Sequence, residues 1–391
     1  MTKLTVLSGA DVLLSSPGLL NQLACFGTVG LVTNPTGITK TAVPVYEELI
    51  KSVPLSALFS PEHGVRGDRQ AGAEVDEYRD DKTGLPVYSC YGPGKGRAEE
   101  ALASLGCLLF DIQDIGSRYY TYQYTMTDCM RTAAASGIPV WVLDRPPMIG
   151  CSAEGNLLDR RFASGVGRFP LAARTGMTLG ELALYLNDSE GIGCELRVIP
   201  CRGVFRGMFF DEGDLPFVCP SPNLPSVDCA LIYVGTCLFE GTNLSEGRGT
   251  TKPFELFGAP WLDSSALCRE LRALEDAGVL PGCLFREAAF TPTFSKYAGE
   301  SCRGIQIHVT DRRAFRPFDT GVYAVSLARR LHPDRTVCRP FLANLFGSDE
   351  ILKEDFDPAA YLAALAAPLT AYRERIRRFR LYPEGPEAAP E

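Results

Sequence analysis

GCLLFDIQDIGSRYYTY, residues 106–122, places a short apolar run directly before a polar turn that contains glycine. Consecutive apolar residues are typical of a strand that is buried on both faces of a parallel sheet. Three further stretches have the same character: GTVGLVT (27–33), PLSALFS (54–60) and IPVWVLD (138–144). Helical patterns separate the four stretches, at 43–52, 96–105 and 121–137. This β-α-β-α alternation predicts an α/β fold, a parallel sheet covered by helices on both faces.

The pattern changes after about residue 250, where two strands follow one another between helices. Further helices are predicted at 177–187, 264–278, 320–331 and 358–379, and further strands at 194–200, 284–291 and 304–311. We therefore predict a catalytic domain over 1–252 and a smaller α+β domain over 253–382. Residues 383–391 are rich in Pro and Glu, which predicts a disordered tail.

The composition of the chain limits the kinds of partner that we expect it to have. The 391 residues carry a net charge of −8, and the one basic run, RERIRRFR (373–380), reads as a solvated helix face, so we expect no nucleic-acid partner. No apolar run approaches the roughly 18 residues that a membrane span needs, so we expect no membrane insertion. The first residues show no signal peptide, which predicts a cytoplasmic protein, although a secreted domain with a trimmed leader looks the same. The 14 scattered cysteines read as buried, reduced thiols.

Polar loops follow each of the four predicted strands. They contain Asn34, the Pro61-Glu62-His63-Gly64 motif, Asp114, and the pair Asp144-Arg145. Ligands of open α/β sheets bind outside the carboxyl ends of the strands, so we expect these loops to converge on one site.

A second polar concentration lies further along the chain. It contains Asn223 in PSPNLP (220–225), and Glu240, Asn243, Glu246 and Arg248 in FEGTNLSEGRGTT (239–251). The glycines permit close approach of the backbone to a ligand, while the carboxylates and the Arg offer proton transfer and anion binding.

Signatures of cofactor chemistry are weak. The one glycine-rich stretch, 92–96, has G-x-G-x-G spacing and contains a proline, so it departs from the dinucleotide fingerprint. The sequence has no phosphate loop, no G-x-S-x-G and no Cys/His cluster at zinc spacing. We therefore expect carboxylate chemistry that needs no metal and no cofactor, as in glycoside hydrolysis. The candidate carboxylates are Glu62, Asp111, Asp114, Asp144, Glu240 and Glu246.

At these motifs the chain resembles the exo-β-N-acetylmuramidases, a bacterial family of glycoside hydrolases. The matching stretches lie in order between about residues 28 and 310. They are GLVTNPTG (30–37), LFSPEHGVRG (58–67), FDIQDIGSRYYTY (110–122), VLDRP (142–146), GMTLGELA (176–183), PSPNLPS (220–226) and EGTNLSEGRGTTKPFELFGAPW (240–261). The resemblance implies a Rossmann-like domain, a smaller C-terminal domain, and an active site between them. It implies a small-molecule substrate, β-1,4-linked muramyl-glucosamine, from which terminal N-acetylmuramic acid is released. Pro147 and Val234 depart from the usual family pattern, where Asn and Pro stand.

The resemblance makes Glu62 the leading catalytic residue, and we predict that it is the general acid. His63 could orient Glu62 or relay a proton. The second catalytic group is open between Asp114, Glu246, Glu240 and the substrate's own N-acetyl group. Arg118, Arg145 and Arg248 are the candidates for binding the lactyl carboxylate. Tyr119 and its neighbours either stack on a sugar ring or form the apolar side of a helix start.

The remaining predicted substrate contacts are Asn34, Asn223, Glu240 and Asn243. Two other classes of protein stay open at this point: a nicotinamide-dependent enzyme of the same fold, and a muropeptide-binding protein without catalysis.

Overall fold

The computed structural model describes residues 3–61, 64–65, 77–90 and 92–386. Its strands, in chain order, are β1 Val29–Thr33, β2 Leu55–Ser60, β3 Tyr78–Arg79, β4 Pro86–Ser89, β5 Cys107–Asp111, β6 Val140–Leu143, β7 Ala153–Leu157, β8 Ala172–Thr175, β9 Leu196–Ile199, β10 Leu256–Ala259, β11 Cys283–Phe290 and β12 Cys302–Val309. Its helices are α1 Gly9–Leu14, α2 Pro17–Ala24, α3 Val45–Leu49, α4 Lys95–Ala103, α5 Tyr122–Ser136, α6 Leu179–Ser189, α7 Val227–Thr236, α8 Ser264–Asp276, α9 Pro317–Leu331, α10 Phe341–Phe346, α11 Pro358–Ala364 and α12 Ala366–Arg377.

The central sheet has seven strands in the order β3-β4-β2-β1-β5-β6-β9, and its neighbours are parallel except for the pair β3–β4. The chain runs outward from β1 through β2 to β4, then returns to pair β5 with the other edge of β1. The direction of winding therefore reverses between β1 and β5, which is where a doubly wound sheet opens a crevice for ligands. The α/β prediction is confirmed.

Helices cover both faces of this sheet because successive strand residues point to opposite sides. Leu31, Leu58 and Leu109 pack on one side with apolar residues of α1, α2 and α3. Val32 and Phe110, one residue further along, pack on the other side with α4, α5 and α6. The core is therefore two apolar layers with the sheet between them.

The C-terminal part contains an antiparallel sheet, β10-β12-β11, packed against α8, which in turn packs against α9. Helices α7 and α9 cross closely at two glycines. A Cβ on Gly235 would lie 1.8 Å from the Pro317 carbonyl oxygen, and one on Gly321 would lie 2.3 Å from the Gly235 carbonyl oxygen. This contact joins the C-terminal part to the sheet domain in one continuous apolar core.

Two expectations differ from the observed structure. The helix predicted at 358–379 is two helices, α11 and α12, with Leu365 between them. Pro383, where the disordered tail was predicted to begin, accepts a backbone hydrogen bond from Arg206. Residues 387–391 lie outside the described ranges. Among the described residues, no helix is both long enough and apolar enough to span a membrane.

Candidate active site

The loops after β1 and β5 are joined by hydrogen bonds at the point where the winding reverses. The Asn34 side-chain oxygen accepts from the backbone N–H of Thr36 at 2.9 Å and from its hydroxyl at 2.5 Å. The same hydroxyl accepts from the backbone N–H of Gln113 at 2.8 Å. Asn34 is 3% exposed. Asn34 therefore fixes the two loops relative to each other. This structural role argues against the prediction that Asn34 binds substrate.

Asp114 lies in the loop after β5. Its Oδ1 accepts from the backbone N–H of Gly116 at 2.7 Å, whereas its buried Oδ2 has no hydrogen-bond partner among the residues that the structure describes. Burial raises the pKa of Asp114 to about 7, against the opposing effect of the Gly116 and Ile115 N–H groups. A carboxyl group with this pKa exchanges a proton readily at neutral pH. Asp114 is therefore suited to general acid or base catalysis.

The Asp144-Arg145 pair after β6 has a structural role. Arg145 donates to both carboxylate oxygens of Asp111, at 2.7 and 2.9 Å, and to the Ile38 carbonyl oxygen at 3.0 Å. Asp144 accepts from the hydroxyls of Thr178 and Tyr382 at 2.7 and 2.6 Å. Asp111 and Asp144 have no exposed surface and Arg145 is 5% exposed. Arg145 therefore has its charge neutralised within the protein, which argues against its predicted role as the ligand of a lactyl carboxylate.

Arg118 also has a structural role, so the prediction that it binds substrate does not fit the structure. Its guanidinium is fully buried and donates to the carbonyl oxygens of Asn156, Leu171, Leu345 and Phe346. These carbonyl groups come from separate chain segments, which Arg118 ties together. Tyr119 is 2% exposed, with the Arg118 guanidinium 5.3 Å from the centre of its ring. Stacking of Tyr119 on a sugar ring is therefore ruled out in this conformation.

Tyr120 and Tyr122 connect Asp114 to the PSPNLP loop. The Tyr122 hydroxyl donates to the Pro220 carbonyl oxygen at 2.8 Å, and its ring lies edge-on to that of Tyr120 at 4.9 Å. Burial raises the pKa of Tyr120, and both Tyr122 and Asp114 add to the shift. Asn223 is half-buried in the same PSPNLP loop. The structure thus brings the second polar concentration toward the first, and the role of Asn223 stays a prediction.

Glu240, Glu246, Arg248 and Lys296 form an ion-pair network, called here the Arg248 cluster. Arg248 pairs with Glu240 at 2.7 Å and with Glu246 at 3.4 Å. The Lys296 ammonium contacts the other oxygen of Glu246 at 3.0 Å and donates to the carbonyl oxygens of Phe239 and Leu244. The Glu246 side chain is 3% exposed, whereas that of Arg248 is 26% exposed. Arg248 is therefore the one of the three predicted arginines with a guanidinium that solvent or a ligand can reach.

Sequence reasoning missed Lys296, which lies in no recognisable motif. Its neighbours Ser295 and Tyr297 both adopt positive φ, at 69° and 58°, a conformation that costs energy for residues other than glycine. The Tyr297 hydroxyl accepts from the Trp261 indole N–H at 3.1 Å, which helps to hold this backbone. No local sequence signal marks such a turn.

Two edge-on ring contacts and one guanidinium–ring contact link the Arg248 cluster to the Asp114 loop. Tyr120 contacts Tyr233 at 6.3 Å, Tyr233 contacts Phe254 at 4.8 Å, and the Arg248 guanidinium lies 5.0 Å from the centre of the Phe254 ring. The two polar groups therefore belong to one continuous region, which spans the end of the central sheet and the start of the C-terminal part.

Asn243 points away from this region. Its side chain accepts from the backbone N–H of Val337 and donates to the Arg335 carbonyl oxygen, both at 2.8 Å. Both polar atoms are therefore used in holding the 335–337 segment, and the prediction that Asn243 binds substrate does not fit its placement.

Glu62 and His63 lie outside the described residues, so their catalytic roles stay predictions. Pro61, the residue before them, is buried and follows the end of β2 directly. Strand β2 pairs with β1, whose loop contains Asn34. Within the described ranges, no group of three His, Cys, Asp or Glu side chains could hold a metal ion.

Comparison with known proteins identifies the family. Residues 29–228 match the N-terminal domain of the exo-β-N-acetylmuramidase NamZ, and residues 231–382 match its C-terminal domain. The chain is 48% identical, over 333 residues, to the peptidoglycan β-N-acetylmuramidase NamZ of Bacillus subtilis (strain 168), covering 84% of this chain and 78% of that protein.

Two crystal structures of DUF1343 family proteins from Bacteroides fragilis NCTC 9343 have the same fold. One has a TM-score of 0.87 at 31% identity and covers 97% of this chain and 100% of its own. The other has a TM-score of 0.78 at 27% identity and covers 97% and 99%. With both family domains matched and such identity to a relative over most of its length, the chain belongs to the exo-β-N-acetylmuramidase NamZ family of glycoside hydrolases.

Proposed function

We propose that the chain hydrolyses the glycosidic bond of a terminal, non-reducing N-acetylmuramic acid in β-1,4-linked muramyl-glucosamine saccharides and muropeptides. Family membership supports this class of reaction. The observation that carries the proposal for the site is the buried carboxylate oxygen of Asp114 at the reversal of the sheet, which has no hydrogen-bond partner among the described residues.

Asp114 is the second catalytic carboxyl group in this proposal, and Glu62 is the first. Glycoside hydrolysis needs one carboxyl group to protonate the leaving oxygen and usually a second group to act as base or nucleophile. Glu240 and Glu246 are each paired with cations, which occupy their oxygens. Among the described residues no cation pairs with the Asp114 carboxylate, and its pKa of about 7 suits a base at neutral pH. It would accept a proton from the attacking water or the N–H of the acetamido group.

Arg248 is proposed to bind the lactyl carboxylate that distinguishes muramic acid from glucosamine. Its guanidinium is partly exposed, while those of Arg118 and Arg145 are buried and occupied by protein oxygens. Glu240 and Phe254 orient the Arg248 guanidinium on two sides. An oriented guanidinium loses less conformational freedom when it binds a carboxylate.

A cytoplasmic location is part of the proposal. All fourteen cysteines are free thiols in the structure, which supports a reducing compartment.

The experiment that tests the catalytic assignment is Glu62→Gln assayed with two leaving groups. If Glu62 protonates the leaving oxygen, kcat on the natural disaccharide falls by about 10² to 10⁴, because general acid catalysis is typically worth that factor. With a nitrophenyl muramide the loss is much smaller, because nitrophenolate leaves with little protonation. Glu100→Gln, on the exposed side of α4, is the matched control and keeps full activity.

Equal losses with both leaving groups would show that Glu62 is the nucleophile or the base. Near-normal turnover of the disaccharide by Glu62→Gln would remove Glu62 from the mechanism.

A further inference from the structure

The sulfur atoms of Cys90 and Cys129 lie 4.0 Å apart, on two different elements of the sheet domain. Cys90 directly follows β4, and Cys129 lies on the buried side of α5. A disulfide bond requires about 2.05 Å between sulfurs. At 4.0 Å the two thiols are already close to van der Waals contact.

The two cysteines lie in a narrow surface cleft, which Lys95, Glu99 and Asp128 also line. Cys90 is half-buried, so its sulfur is the more accessible of the two, whereas Cys129 is 5% exposed. Lys95 pairs with Asp128 at 2.9 Å at the edge of the cleft, so a positive and a negative charge both lie close to the thiols.

We propose that Cys90 and Cys129 are a redox modification site, which forms a reversible intramolecular disulfide on reaction with a low-molecular-weight disulfide such as oxidised glutathione. The Cys90 thiolate attacks one sulfur of the small disulfide, forms a mixed disulfide and releases one small thiolate. The Cys129 thiolate then attacks the Cys90 sulfur and releases the second small thiol. The protein loses two protons and two electrons, which reduce one small disulfide to two small thiols.

The local electrostatics favour this order of events. The pKa of Cys129 is raised well above its usual value, first by its hydrogen bond with Cys90 and then by burial; Asp128 adds to the shift and Lys95 opposes it. Once Cys90 is in the mixed disulfide, its sulfur no longer shares a proton with Cys129. The largest cause of the raised pKa is then removed, and Cys129 ionises more readily for the second step.

The disulfide would close a loop from residue 90 to residue 129. This loop contains α4, β5 and the turn that carries Asp114. Cys90 also donates its backbone N–H to the Ser60 carbonyl oxygen at 2.9 Å, so the bond would tie α5 to the carboxyl ends of both β4 and β2. A closed loop of this length lowers the conformational entropy of the unfolded chain. We therefore expect the oxidised protein to melt about 5 °C higher than the reduced protein.

The test treats the full-length, reduced protein with excess oxidised glutathione at mildly alkaline pH. Peptide mapping by mass spectrometry is expected to find the Cys90 and Cys129 peptides covalently joined, and Tm is expected to rise. Dithiothreitol is expected to reverse both changes. Oxidised protein that carries only mixed disulfides, with no Cys90–Cys129 link, would overturn the proposal.

Three variants complete the test. Cys90→Ser and Cys129→Ala are each expected to lose the cross-link and the rise in Tm. Cys25→Ser removes an exposed thiol elsewhere on the surface and is expected to keep both. If Cys129→Ala folds poorly because that side chain is buried, Cys90→Ser, at a half-buried position, still decides the outcome. A rise in Tm that survives in Cys90→Ser would contradict the assignment.

Discussion

The carboxyl group of Asp114 links the chemistry of the site to the stability of the protein. Its folded-state pKa of about 7 lies well above the ordinary value of 3.8, because burial disfavours the charged form. Between pH 3.8 and about pH 7, the Asp114 carboxyl group is ionised in the unfolded chain and protonated in the folded chain. Stability therefore falls as pH rises from about 4 to about 7 and is not lowered further by this group at higher pH.

The Asp114→Asn variant should lack this pH-dependent loss of stability, and it should also have lower activity. The amide keeps the acceptor for the Gly116 N–H and carries no charge. At pH 8 the variant is expected to be more stable than wild type by a few kcal/mol, at roughly 1.4 kcal/mol per pKa unit, and at pH 4 the difference should vanish. Urea unfolding of both proteins at the two pH values measures this, and kcat should fall by about 10² or more. Unchanged kcat would exclude Asp114 as a catalytic residue.

Replacement by Lys should lower stability at Arg118 and should weaken substrate binding at Arg248. Arg118→Lys leaves buried carbonyl oxygens without donors, so the free energy of unfolding should fall by about 3 kcal/mol. Arg248→Lys keeps the charge at a partly exposed position, so stability should change by less than about 1 kcal/mol. The loss of the guanidinium should instead raise KM for a muramide by about tenfold.

Chemical denaturation and steady-state kinetics on both variants separate the two roles. The assignment of Arg248 is wrong if Arg248→Lys keeps the wild-type KM for a muramide.

At the scale of elements, the sequence predicts the strands of the central sheet better than the parts that cover them. GCLLFDI and its three counterparts are confirmed as β5, β1, β2 and β6, because a strand buried on both faces has a strong apolar signature. Helix α7, VDCALIYVGT, was not predicted, because burial on every side removes the polar face that reveals a helical period. The loop that presents Lys296 was missed because its shape depends on distant contacts with Phe239, Leu244 and Glu246.

Replacing Lys296 should affect both the stability of the protein and the binding of substrate. Lys296→Met leaves Glu246 buried with one cation fewer, so the free energy of unfolding should fall by about 3 kcal/mol. Because Lys296 and Arg248 both contact Glu246, the loss of Lys296 should also disturb the Arg248 guanidinium and raise KM for a muramide.

Lys296→Arg keeps the charge and is expected to restore most of both properties. A Lys296→Met enzyme that is less stable but has the wild-type KM for a muramide would show that Lys296 only supports the fold.

At the scale of the whole molecule, the candidate site depends on contacts between parts that are far apart in the sequence. The convergence of the loops after β1 and β5 follows from strand order, which the β-α-β-α pattern makes predictable. The aromatic contacts from Tyr120 through Tyr233 to Phe254 do not follow from any local pattern. They depend on the position of α7, which contains Tyr233 and packs against α9. The roles of side chains were the least predictable. Arg118, Arg145 and Asn243 are residue types that often bind ligands, yet here they form hydrogen bonds with other groups of the protein.

The central claim is that this molecule hydrolyses terminal β-N-acetylmuramides and selects them by the lactyl group. The most direct test compares kcat/KM of the wild-type protein for nitrophenyl β-N-acetylmuramide and nitrophenyl β-N-acetylglucosaminide, which differ only in that group. We predict a preference for the muramide of at least about tenfold, since a charged hydrogen bond contributes about 1.5 to 3 kcal/mol. Equal values of kcat/KM for the two substrates would contradict the account.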